Sequence, residues 1–196
     1  NLGANVTTTN TQTYTGATTV SVDSTLATTD SNVTFSAALD ADATERDLII
    51  NTGGTTGTIL FDGVVGQTNE FDLITITGNL DLDANIGADD FGTKGATSIT
   101  VSGASNLGAN VTTSGIQTYS GATTLSMGAG ANTTLTGTTI RFGSTVAGAA
   151  AEDLKVDGIM DLNGAMTAVA ILEVTGASTI GANISTTGIQ TYTGAV

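Results

Sequence analysis

The chain has 196 residues with 26 Gly, 41 Thr and no Pro, Cys, His or Trp, which excludes disulfides, thiol nucleophiles, zinc–thiolate sites, imidazole metal centres and Ser-His-Asp triads. Four Lys and Arg against 18 Asp and Glu set the net charge at −14. Arg46, Lys94, Arg141 and Lys155 are too few and too scattered to neutralise phosphates, so no nucleic-acid partner is expected.

Taken in chain order, short segments alternate apolar and polar residues: Val20-Ser-Val22, Val33-Thr-Phe35, Ile74-Thr-Ile76, Ile99-Thr-Val101, Ile140-Arg-Phe142, Leu154-Lys-Val156 and Leu172-Glu-Val174. A period of two in segments rich in Val, Ile and Thr predicts half-buried strands. Gly and Asn or Asp between them predict turns. No window carries an apolar i, i+3, i+4, i+7 stripe, and 146–153 (VAGAAAED) is read as a loop rather than a helix. No run approaches the roughly 18 consecutive apolar residues of a membrane-spanning helix, so no membrane insertion is expected.

The chain also repeats itself. NLGANVTTTNTQTYTGA (1–17) returns as NLGANVTTSGIQTYSGA (106–122) and TIGANISTTGIQTYTGA (179–195), at spacings of 105 and 73 residues. A second phrase aligns without gaps at 73–86, 98–111 and 171–184, and its glycines Gly78 and Gly103 stand 25 residues apart. Strands of this kind, three to a repeat of about 25, predict a parallel β-helix, an all-β solenoid whose rungs stack at about 4.8 Å. The longer units, about 1–105 and 106–178 with 179–196 starting the next, then hold four and three rungs. The 178 residues between equivalent points would advance roughly 34 Å along the axis. An antiparallel sandwich, the competing all-β fold, has no reason to repeat every 25 residues. The whole chain is read as one continuous solenoid segment. It begins in mid-motif without an initiator Met or a signal-peptide pattern, and is read as a fragment of a longer chain or fibre.

Several residues are candidates for chemistry. Asp81, Asp83, Asp89 and Asp90, with Asp72 nearby, could supply the oxygen ligands of a calcium ion. They also suit a solvated acidic turn, and the DxDxDG and GGxGxDxUx patterns are absent, so no cofactor is expected unless calcium binds here. A glycosidase would need two facing carboxylates about 5 to 10 Å apart, yet no break in the repeat gathers suitable groups, and no catalytic residue is assigned. Tyr14, Tyr119 and Tyr192 recur in Gln-Thr-Tyr and could anchor a partner or stack on a sugar, or cover a solenoid corner ahead of Gly16, Gly121 and Gly194. Thr-rich runs such as 7–15 and 133–139 resemble ice-binding rows, but the motif recurs too seldom for a continuous ice face. Asn5, Asn32, Asn110, Asn132 and Asn183 open N-glycosylation sequons, about as many as chance supplies.

The phrases from Ile99 to Asn110, Gly115 to Gly121 and their copies at 171–195 resemble the repetitive regions of giant bacterial surface proteins, the filamentous-haemagglutinin-like adhesins and related β-strand repeat exoproteins. The resemblance implies a right-handed parallel β-helix, export, and display at the cell surface as a long extracellular fibre. On this reading the chain is a non-catalytic structural shaft segment, joined end to end with more of the same sequence. A carbohydrate- or host-binding adhesin module is the alternative, followed by a polysaccharide-degrading enzyme. Absence of Cys fits a long exported chain, which is safer without thiols that could misbridge.

Overall fold

A computed structural model describes residues 1–54, 56–87 and 95–196. Among these there is no helix, and parallel strands stack into a β-solenoid of about nine turns, about 21 residues apart. Each turn has three faces. The first turn sets them with Val6–Thr7, Gln12–Tyr14 and Thr18–Val20, and the second begins again on the first face at Ser24–Ala27.

The alternation of the sequence is what fills the core. On the first face Leu26, Ile50, Ile76, Val101, Tyr119, Phe142 and Leu162 follow one another turn by turn, all buried. The second face stacks Tyr14, Phe35, Phe61, Leu82, Leu107 and Leu125. The third stacks Leu39, Val65, Ile86, Val111, Leu135, Val156 and Val174. Aromatic rings lie over one another in these columns: Tyr14 and Phe35 at 4.7 Å between centroids, Tyr119 and Phe142 at 5.8 Å. Six of the seven alternating segments point both apolar residues inward; in the other, the strand ends at Val20 and leaves Val22 exposed. The segment read as a loop at 146–153 contributes a three-residue strand, Val146–Gly148, before its corner.

The rung length departs from the expected 25. Partner residues in successive turns lie as few as 17 apart (Ala96 to Thr113) and as many as 26 (Ile50 to Ile76). The 25-residue step from Gly78 to Gly103 samples the wide turns only, where corners are longer. The repeated motif therefore does not fall on one face. Its first copy opens on the first face at Val6; Val101 is four turns on, and the second copy opens two faces later, at Val111 on the third. From Val111, three turns reach Val174, and the third copy opens two faces later at Ile184 on the second. The intervals of 105 and 73 residues thus hold four and three turns plus two faces each. Equivalent points are eight turns and one face apart, an advance of roughly 40 Å rather than 34.

Two strands, Asn132–Phe142 and Asp153–Leu162, run round the corner between the third and first faces without breaking, and pair with a register shift between Thr136 and Thr139. Gly137 and Gly158 make that passage possible. A Cβ on Gly158 would overlap the Gly137 carbonyl, and one on Gly176 the Gly158 carbonyl.

Candidate functional site

At some corners a backbone N–H is met by a side-chain oxygen of the preceding turn instead of a carbonyl. Asparagine supplies it. Asn5 Oδ1 accepts the Thr25 N–H of the next turn at 2.8 Å, Asn32 that of Thr58 at 3.0 Å, and Asn110 that of Thr134 at 2.8 Å. Three of the five sequon asparagines are thus turn-to-turn clasps. Asn132 and Asn183 are exposed.

The Gln-Thr-Tyr motif builds a second clasp. Tyr119 Oη donates to Gln117 Oε1 at 3.0 Å, and Gln117 Nε2 donates to the Val111 carbonyl at 3.0 Å and the Thr136 carbonyl at 2.8 Å. Thr136 belongs to the following turn, so the amide ties two turns together. Both side chains are fully buried, and burial pushes the Tyr119 phenol far up from its ordinary value. Tyr119 has no surface to offer a sugar or a partner. The first copy repeats the arrangement with Gln12 buried and Tyr14 half-buried: Tyr14 donates to Gln12 Oε1 at 3.0 Å, and Gln12 Nε2 to the Ala27 carbonyl at 2.8 Å. In the third copy Tyr192 donates to Gln190 Oε1 at 3.0 Å, and the exposed Gln190 reaches Thr186 Oγ1.

Two groups of acids stand close together from turn to turn, whereas Glu152 is fully buried. Asp83 stands beside Asp81 and Asp62, and its carboxyl is pushed up by burial and by those two charges. Asp47, between Asp23 and Asp72, is pushed up in the same way, burial contributing most. Asp89 and Asp90 lie outside the described residues. Among the described residues no group of three or more His, Cys, Asp or Glu is placed to hold a metal ion. Arg46 pairs with Asp42, Arg141 with Asp161 and Lys155 with Glu173, at 2.8, 2.8 and 3.6 Å. These three cations are engaged, and Lys94 lies outside the described residues.

These shifts give stability a pH dependence whose sign follows from linkage. Asp47 and Asp83 bind protons more tightly when folded. Their unfavourable contribution is present at neutral pH and is relieved as pH falls toward the ordinary aspartate value of 3.8. Asp30 is held low by the Thr56 N–H and hydroxyl, and Asp42 by Arg46, so both stabilise the fold above that value and lose their contribution below it. Thermal stability is therefore expected to rise as pH falls from neutrality and to peak above the ordinary aspartate value, with a fall on further acidification. A calorimetric series from pH 3 to 8 that rises steadily to 8 would contradict this.

Two shallow concavities mark the outer surface. One, of about 250 Å³, lies on the second face and is lined by Thr58, Asn79, Asp81, Ala104, Asn106 and Thr124, among others. The other, of about 230 Å³, lies on the third face along Asn85, Asn110, Thr112, Thr134 and Thr136. Sequence reading singled out Asp81 as an acid, yet gave no sign of the first hollow, whose walls come from four successive turns. No known family, curated protein or solved structure matches this chain.

Proposed function

We propose that the chain is a non-catalytic shaft segment of an extracellular bacterial filament or giant surface adhesin, built to be extended end to end by turns of the same kind. The supporting observation is the placement of one motif on three different faces. A unit of strand plus corner that serves on any face can be added indefinitely, because each turn contacts only its neighbours. The Asn and Gln clasps reach from one turn to the next and so reinforce the axis along which such a shaft would be loaded. The net charge of −14 would oppose lateral clumping of shafts. The phrases at 99–121 and 171–195 that resemble surface exoproteins point the same way and supply the setting, the bacterial cell surface.

Electron microscopy of the native material with axial diffraction tests this. Thin unbranched fibres with a strong reflection near about 4.8 Å along the axis are the expected result. Discrete particles lacking that spacing along any long axis would overturn the shaft reading.

A further inference from the structure

We infer that the hollow on the second face is a binding trough for a neutral oligosaccharide lying along the solenoid axis. It arises from side-chain size. In the outward column that starts with Thr58 and Asn79, the next turn places the small, exposed Ala104, whose N–H is clasped by Asn79 Oδ1 at 3.0 Å. Beside it runs the column Asp81, Asn106, Thr124, one residue per turn. The alanine forms the floor and the polar column forms a wall, giving the concavity of about 250 Å³.

The wall carries hydrogen-bonding capacity that the fold does not use. Asn106 Nδ2 donates to Asp81 Oδ1 at 2.8 Å, which fixes both side chains. That leaves Asp81 Oδ2, Asn106 Oδ1 and the hydroxyls of Thr58 and Thr124 without partners among the described residues. A carboxylate oxygen and an amide oxygen accept, while two hydroxyls donate or accept. Together they match a ligand with hydroxyls at regular intervals. The groups occupy four successive turns, so the row extends roughly 14 Å at about 4.8 Å per turn, the length of a short saccharide chain with about one ring per turn. An anionic sugar does not suit the site, because Asp81 faces it and the cations Arg46, Arg141 and Lys155 are paired with acids elsewhere. No aromatic platform lines the hollow, so binding is weak at a single trough.

Saturation-transfer NMR tests this on the intact chain, soluble or assembled, with cellotriose, maltotriose and mannotriose as probes. Transfer to at least one of them is expected. Asp81→Asn should weaken binding about tenfold by removing a charged acceptor, and Ala104→Leu should abolish it by filling the floor. Asp72→Asn, away from the hollow, should change nothing. Because Ala104 is exposed, Ala104→Leu leaves the core intact, and circular dichroism checks that both variants keep their strands. No transfer to any probe, or transfer that survives both trough substitutions, overturns the inference. It does not rest on the shaft reading: fibres without saccharide binding would remove this site alone, and binding by discrete particles would remove the shaft alone.

Discussion

Replacing Gly158 with alanine is expected to destabilise the solenoid by about 3 kcal/mol. Gly158 lies within the continuous strand Asp153–Leu162 at φ +154°. It sits in a column of glycines, and an added Cβ would overlap the Gly137 carbonyl and come within 3.3 Å of Ile140 Cδ1. Neither neighbour can yield. Gly137 belongs to the paired strand below, and Ile140 is a fully buried core residue. On the other side the Gly158 carbonyl accepts the Gly176 N–H at 3.0 Å, so a shift would be passed to the next turn. For a chain of this size the loss corresponds to a drop in melting temperature of roughly 6 to 12 °C. Gly128→Ala provides the comparison. It too has a positive φ, +105°, but nothing lies within contact of an added Cβ there. Only the backbone penalty of about 1–2 kcal/mol applies. Thermal or urea unfolding of the two variants separates packing from conformation. Equal losses would show that close stacking of the corner glycines contributes nothing.

That column also explains how much of the fold the sequence reveals. Strand positions were legible because burial follows a period of two whichever face a strand occupies. Ile74 and Ile76, Ile99 and Val101, and Leu154 and Val156 all point inward. Turn length was not legible, because the repeating unit is a strand with its corner and not a whole turn. Leu48, Ile99, Leu125 and Leu154 look like beats of one rhythm. The first two belong to the first face, Leu125 to the second and Leu154 to the third. Counting between them mixes faces and overstates the rung. Gln117 was hidden for a related reason. A polar residue ahead of Thr-Tyr reads as outward, yet it is fully buried because two carbonyls and a phenol await it. The hollow on the second face could not be found by spacing, since Thr58, Asp81, Asn106 and Thr124 come together only once turns of different length are stacked in register.

The Gln-Thr-Tyr clasp allows the sharpest test, because one motif occurs in three surroundings. Gln117→Leu keeps side-chain volume near that of Gln but strands the buried Tyr119 hydroxyl and withdraws a donor from the Val111 and Thr136 carbonyls, which keep only their backbone partners. Each buried polar group left unpaired costs about 1–3 kcal/mol, so a loss of roughly 3 kcal/mol is expected. Gln12→Leu should cost about 1 kcal/mol, because Tyr14 is only half-buried and water can reach part of the clasp. Gln190→Leu, at an exposed side chain, should be close to neutral. The decisive measurement is a double-mutant cycle at the buried copy. Tyr119→Phe alone removes the donor to Gln117 Oε1 and should destabilise by about 1 kcal/mol. In the Gln117→Leu background the same change removes a hydroxyl that has lost its partner, and should restore about 1–2 kcal/mol. The sign of the tyrosine substitution thus reverses with the state of its neighbour. Urea midpoints for the four proteins would reveal it. Additive losses would mean that the phenol and the amide act separately, and that the motif recurs for its turn geometry alone.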